Sequence, residues 1–170
     1  MEIRTIRPDE WPALKSIRLR ALRDAPDAFG ATFDAESASA DEDWQRRADR
    51  PDGTMVVAVD DDGRFVGMGS GGPAPEAFGF AAIYGMWVAP EARGQGVGEG
   101  IIHAVARWAI DQGYEGIGLG VTTGNEPAIR LYERLGFTDT GERFPLREGT
   151  DLTIQVMATS LAELTAYFDA

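Results

Sequence analysis

Three observations predict a mixed α/β fold for this chain. Its 170 residues match one domain, at roughly 100–200 residues per domain. Strand-like runs and helix-like runs follow one another from end to end. With 44% hydrophobic and 26% charged residues, the composition is that of an ordinary globular protein, which excludes a disordered or fibrous chain.

The elements follow in order. Glu2 to Arg7 reads as a short edge strand closed by Pro8. Asp9 can cap a helix whose apolar residues Trp11, Leu14, Ile17, Leu19 and Leu22 recur at helical spacing, and Asp24-Ala25-Pro26-Asp27 ends it. Residues 28–40 are small and polar apart from Phe29 and Phe33, and read as a loop. Asp41 caps a short helix through Arg47, with Trp44 on its buried side. Thr54 to Val59 is a strand, Asp60-Asp61-Asp62-Gly63 a hairpin turn and Arg64 to Gly69 the return strand. Gly71, Gly72, Pro73 and Pro75 mark a longer turn. Phe78 to Val88 is almost wholly apolar, which predicts a central strand buried on both faces. From Val97 the period becomes helical, with Val97, Ile101, Val105, Trp108 and Ala109 on one face and Gly113 at the end. Ile117 to Val121 is a strand. Asn125 opens a helix with Pro127 in its first turn and Gly136 as its C-terminal glycine. Phe137 begins another strand, and Asp151 to Ala158 alternates as the last. The order β-α-α-β-β-β-α-β-α-β-β has no linker long enough to divide it. Residues 1–170 are therefore expected to form one domain, with a core over 3–158 and a tail over 159–170. The tail's Leu164, Tyr167 and Phe168 would dock on the same domain or on a second subunit, and a homodimer is expected.

The 16 basic and 28 acidic residues give a net charge of −12. That argues against nucleic-acid binding, whose affinity comes largely from neutralising phosphates. No cysteine is present, which removes disulfides, thiolate metal sites and a cysteine nucleophile. One histidine, His103, is too few for a multi-histidine metal site and argues against a Ser-His-Asp triad, so no metal is expected. His103 falls off the apolar stripe between Glu99 and Arg107 and reads as a surface residue. Lys15, the single lysine, reads as a solvated helix residue. Met1-Glu2-Ile3-Arg4 does not start a secretory signal, and the longest uncharged segment, Ala77 to Pro90, is shorter than the roughly 20 residues of a spanning helix. No membrane contact and a cytoplasmic location are expected.

Arg93-Gly94-Gln95-Gly96-Val97-Gly98 lies between the apolar strand and the long helix. A helix start has unpaired N–H groups and a partial positive charge, and glycines let a phosphate approach them closely. Taken alone, the turn fits an unliganded strand-to-helix connection equally well. A dinucleotide fingerprint fails because Glu99 stands where its third glycine belongs, and a P-loop fails for want of a lysine. Arg/Gln-x-x-Gly-x-Gly/Ala does fit, through Arg93, Gly96 and Gly98.

That run, extended from Met86 to Gly98, and the later segment Asn125 to Phe137 together resemble the GNAT N-acetyltransferase superfamily. The second segment carries the pattern Asn-x-x-Ala-x-x-x-Tyr-Glu-x-x-Gly-Phe through Asn125, Ala128, Tyr132, Glu133, Gly136 and Phe137. The resemblance covers about Ile3 to Ala158. It implies a mostly antiparallel central sheet of about seven strands flanked by about four helices and splayed at an acetyl-CoA site. It also implies acetyl-CoA as co-substrate. The main chains of Met86, Trp87 and Val88 would bind the pantetheine arm, with the Val88 N–H on the thioester carbonyl. The N–H groups of Arg93, Gly94, Gln95, Gly96, Val97 and Gly98 would cradle the pyrophosphate. Asn125, which also reads as a helix cap, would lie near the thiol end, and Ala128 would also touch the cofactor. Tyr132 would be the general acid that protonates the departing thiolate, suited to this by an ordinary pKa near 10.

Many members of that superfamily carry a glutamate on the strand entering the glycine turn, and this strand has no carboxylate. Asp34 and Glu36 are the candidates for a general base, Glu36 first. Glu91 and Glu99 read as solvent-facing, Arg134 as an exposed helix residue, and the Met86 and Trp87 side chains as core. The implied activity is transfer of acetyl to a primary amine of a small molecule by direct attack in a ternary complex. A non-catalytic acyl-CoA sensor and an acetyltransferase for protein or peptide amines are the alternatives. The acceptor site is expected between the Phe29–Glu36 loop, Tyr84 and Phe144-Pro145-Leu146. Its aromatic and acidic residues suggest an amine with an apolar or cationic body.

Overall fold

The computed structural model describes residues 1–75 and 79–170, so Phe78, the expected start of the apolar strand, lies outside them. Among the described residues the strands are β1 (Glu2–Thr5), β2 (Thr54–Val59), β3 (Phe65–Pro73), β4 (Ala81–Val88), β5 (Gly116–Thr122), β6 (Thr138–Pro145) and β7 (Thr153–Ser160). They form one sheet in the order β1-β2-β3-β4-β5-β7-β6. Every pairing is antiparallel except that of β4 with β5. The helices are α1 (Trp11–Asp24), α2 (Phe33–Ser37), α3 (Asp41–Ala48), α4 (Val97–Asp111), α5 (Glu126–Arg134) and α6 (Leu161–Phe168). None is long and apolar enough to cross a membrane.

Among the described residues there are six helices, where about four were expected. Helix α2 is a five-residue turn inside the expected loop, started by the Thr32 side chain accepting from the Ala35 N–H. It is too short for an apolar period to reveal. Helix α6 is the expected tail, capped by Ser160. It packs on its own chain through buried Leu161 and Leu164, and Phe168 stacks on His103 with ring centroids 4.4 Å apart. His103 is therefore half-buried and not a free surface residue.

Strand β3 runs four residues past its expected end at Gly69, through the glycines read as a turn. Side chains alternate between faces along a strand. A Cβ on Gly67, Gly69 or Gly71 would stand 2.9 Å from Val97, 2.7 Å from Ile101 or 2.7 Å from Val105 respectively. Those three residues are four apart and share one side of α4. Glycines on this face let α4 lie directly on the sheet. Met68 and Ser70 point to the other face, toward α1 and α3.

Strand β4 is central, as its apolar run predicts, but only its first half is buried on both sides. It pairs with β5 at Ala81–Ile83 against Ile117–Leu119 and no further. Beyond that point Tyr84 faces Ser70 and Trp87 faces Met68, so Gly85 and Met86 both stand opposite Gly69. This is a bulge, which bends the strand and increases its twist. Gly85 has φ of 61°, a conformation that costs other residues roughly 1–2 kcal/mol. From the bulge onward β4 and β5 diverge.

Candidate active site

A groove of about 650 Å³ opens where the two strands part. Met86, Trp87 and Val88 line one side, Arg93, Gly94, Gly96, Val97 and Gly98 the next, and Asn125, Ala128 and Tyr132 the third. The two sequence segments thus meet across one space. Gln95 does not line it, because its amide turns back to donate to the Glu91 carbonyl at 3.0 Å.

Three of the groove's lining residues are glycines, which expose main chain. Ala89 donates its N–H to Val66 on β3 at 2.8 Å. Successive N–H groups of a strand point to opposite sides, so the Val88 N–H points into the gap left by β5. The Val88 carbonyl shares that side and accepts from Arg93 Nε at 3.0 Å. Arg93 also donates to Asp24 Oδ2 at 2.8 Å, and the same oxygen accepts from the Trp87 indole at 3.0 Å. The Trp87 bond first, and then Arg93 against partial burial, hold the Asp24 carboxyl below its ordinary range. These bonds fasten the end of α1 to the glycine turn. Gly94 and Gly96 have φ of 73° and 77°, and a Cβ on either would meet only open space. Gly96 is the residue preceding α4, so the free N–H groups of the helix start face that space. Gly98 serves packing as well, since a Cβ there would stand 3.1 Å from Leu131 on α5.

Further in, a cleft of about 80 Å³ lies between the parted strands, lined by Gly85, Met86, Asn125 and Tyr132 among others. The Tyr132 ring is tilted against Phe137 at 5.9 Å. Burial pushes its hydroxyl up to about 12, so it keeps its proton across the whole neutral range. The Asn125 side chain makes no capping bond to α5 and lines both the groove and the cleft.

On the other side of the bulge is a cavity of about 230 Å³, also bordered by Gly85. Glu36 and Tyr84 line it as expected, whereas Phe144, Pro145 and Leu146 do not. Arg147 instead donates to the Phe29 carbonyl at 2.8 Å and holds that turn against the loop. The Glu36 carboxylate is buried and fully engaged. Arg18 donates to it through Nε at 2.8 Å and Nη2 at 3.1 Å, and Arg47 lies 3.2 Å from Oε2. Burial alone would raise its proton affinity, but Arg18 and then Arg47 outweigh that and hold the carboxyl below its usual value. Asp34 does not line the cavity. Around the groove, Glu91 is exposed and pairs with Arg20 at 2.7 Å. Glu99, expected to face solvent, lines the groove and pairs with Arg134 at 2.6 Å.

Residues 11–137 match the model of the acetyltransferase (GNAT) family. The chain belongs to that family. A mycothiol acetyltransferase from Pseudarthrobacter chlorophenolicus is 33% identical to this GNAT chain over 133 residues, 76% of the chain and 39% of the relative. The chain spans less than half the length of the mycothiol acetyltransferases it matches. Among solved structures, a GNAT acetyltransferase from Streptococcus pneumoniae superposes with a TM-score of 0.79 at 17% identity, over 94% of this chain and 98% of the other. An acetyltransferase from Salmonella typhimurium, solved with its cofactor acetyl-CoA, gives 0.75 at 21% identity over 95% and 94%. At those identities the likeness is one of fold.

Sequence reasoning missed most of the cavity on the far side of the bulge. Arg18, Trp44, Arg47 and Arg50 line it, and they come from α1, α3 and the turn after α3. The available signal was the placement of Arg47 and Arg50 three apart beside a tryptophan that ends up fully buried.

Proposed function

We propose that this GNAT chain is an N-acetyltransferase that moves acetyl from acetyl-CoA to a primary amine of a small molecule by direct attack. The observation that carries this reading is that the glycine turn and the Asn125–Phe137 segment line one groove whose inner end holds Tyr132. Open space before Gly94 and Gly96 suits a diphosphate, which a β-carbon would hold away. The small-molecule acceptor agrees with the name of the mycothiol acetyltransferase relative.

When bound, acetyl-CoA supplies the acetyl group as an activated thioester. The N–H groups from Arg93 to Gly98 hold the diphosphate through the main chain, so Gln95 takes part by its backbone alone. The Val88 N–H is a fixed donor for an oxygen gaining negative charge, a service worth about 3–4 kcal/mol in comparable sites. Asn125 and Ala128 position the thiol end. Tyr132 gives its hydroxyl proton to the departing sulfur. Burial makes this phenol a weaker acid than the ordinary one expected, so the proton moves only as the C–S bond breaks and negative charge builds on sulfur. We do not carry Glu36 forward as the base, because two guanidinium groups make its carboxylate a weak proton acceptor. The amine loses one proton to water before attack. The proton its nitrogen sheds as the C–N bond forms and the C–S bond breaks returns through water to restore the Tyr132 phenol.

The test combines two readouts. Coenzyme A should raise the melting temperature, and acetyl-CoA with a panel of small amines should release free thiol together with an acetylated product. A rise in melting temperature with no thiol from any amine would make the chain a sensor. No rise at all would refute the reading.

A further inference from the structure

We propose that the acceptor of this GNAT chain carries a carboxylate as well as its reacting amine, so that amino-acid-like molecules are the substrate class. The inference rests on the acetyltransferase reading, since it assigns the acceptor half of that site.

The cavity beyond the bulge is lined by three arginines, Arg18, Arg47 and Arg50, and by one carboxylate, Glu36. One glutamate cannot neutralise three guanidinium groups. This positive cluster stands inside a chain of net charge −12, where chance would place acidic residues. Arg18 is committed, bonded twice to Glu36 with its guanidinium 4.6 Å above the Phe29 ring. Arg47 shares Glu36 and lies 4.4 Å over the Trp44 ring. Arg50 is the uncommitted one. Its single ion pair is a loose 3.7 Å approach of Nε to Asp52, whose side chain is exposed. Among the described residues its Nη groups make no hydrogen bond. One of them rests beside the Gly72 backbone, where a Cβ would stand 3.1 Å from Nη2.

A second, independent feature points the same way. Trp44 is fully buried, lines the cavity, and has an indole N–H that finds no partner among the described residues. A buried donor left unpaired costs roughly 1–3 kcal/mol. The free donors of Arg50 call for an acceptor group, and a planar carboxylate matches the guanidinium fork in two bonds. At about 230 Å³ the cavity is smaller than the roughly 300–1,000 Å³ of pockets for drug-sized ligands, which suits a molecule of amino-acid size. Gly85 borders both this cavity and the cleft holding Tyr132. The amine would sit at the Gly85 end and the carboxylate at the Arg50 end. The cationic body suggested by the acidic loop residues is thereby replaced, because Glu36 is already neutralised and an extra ammonium would meet uncancelled positive charge.

The experiment compares each of a set of amino acids with its own carboxamide, which keeps the body and the amine and removes the negative charge. The amine of a carboxamide is the less basic of the two, so ease of deprotonation works against the expected result. Acids should give kcat/KM at least about tenfold above their amides, the discrimination expected when a charged hydrogen-bonded partner is lost. Arg50→Gln should raise KM for the acids about tenfold and shrink the acid-to-amide ratio, and Arg50→Lys should restore part of it. Amides or polyamines turned over as well as the acids, or better, would overturn the inference while leaving the acetyltransferase reading intact. Calorimetric titration of the amino acids into wild-type protein saturated with coenzyme A gives a readout independent of turnover and of variant folding. Absence of binding by every acid would also overturn it. Failure of the acetyltransferase reading would show separately, as no thermal shift with coenzyme A.

Discussion

The two halves of the candidate site are built by different means. The groove beside β4 is lined chiefly by two short stretches of chain, 86–99 and 125–134, and three of its lining residues are the closely spaced Gly94, Gly96 and Gly98. The cavity across the bulge is walled by side chains from α1, α2, α3 and the turn after it, β2, β3 and β4. Backbone recognition needs particular conformations at adjacent residues, so it writes a compact pattern of glycines into a short segment. Side-chain recognition needs only that distant residues converge, and it permits one family fold to take different acceptors. Gly85, at the bulge, belongs to both halves.

The sharpest way to break the backbone half is Gly96→Glu, which sets a carboxylate in the open space before α4. Coenzyme A binding should fall below detection by calorimetry. Gly96→Gln is the control, equal in size and in the strain of a φ of 77°, and differing only in charge. Binding retained by Gln and lost by Glu assigns the loss to repulsion of the diphosphate. Equal losses would mean that strain at the helix start is responsible.

Tyr132→Phe tests whether the inner end of the groove does chemistry or only packs. The ring contact with Phe137 survives the change, and the hydroxyl alone goes. Turnover should drop by about 10²-fold or more, while coenzyme A affinity stays near that of the unaltered protein. An unchanged rate would leave Tyr132 as a packing residue.

The same contrast explains what was legible in the sequence. The turn from Arg93 to Gly98 and the run from Asn125 to Phe137 are local patterns, and all of the first but Gln95 share one groove with Asn125, Ala128, Tyr132 and three neighbours of the second. Strand β2 was legible to the residue, because Thr54–Val59 ends in a turn of three aspartates and a glycine. Gly71 and Gly72 were misread, since a Cβ on the first would meet Val105 of α4, far along the chain, and a Cβ on the second would meet Arg50. Local rules read such glycines as turns. The arginines around Glu36 were missed for a related reason. Their partners lie on other elements, and no periodic pattern marks a convergence in space.

Glu36→Gln separates two roles for the carboxylate of the side-chain half. As the anchor of Arg18 and Arg47, its loss should loosen the cavity and raise the acceptor KM by about tenfold, the price of breaking a charged hydrogen-bonded pair. Coenzyme A affinity should not follow, because Glu36 does not line the groove. A fall in kcat of about 10²-fold or more with KM unchanged would instead restore Glu36 as the proton acceptor.

The smallest expected effect is a missing one, on the alkaline side of the pH–rate profile. A general acid must be protonated to act, so activity falls as pH rises through its pKa. For an exposed tyrosine that fall would begin near pH 10. Burial pushes Tyr132 up to about 12, so kcat should hold level from pH 8 to pH 10 at saturating acceptor. Protein stability moves in the same window with a definite sign. The unfolded tyrosine ionises first, so the contribution of this group to stability is complete below pH 10 and is lost as pH climbs toward 12. Melting temperatures measured alongside the rates separate the two effects. A declining rate at pH 9 with an undiminished melting temperature would mean that the acid in the groove has a lower pKa than the buried phenol, and would remove Tyr132 from that role.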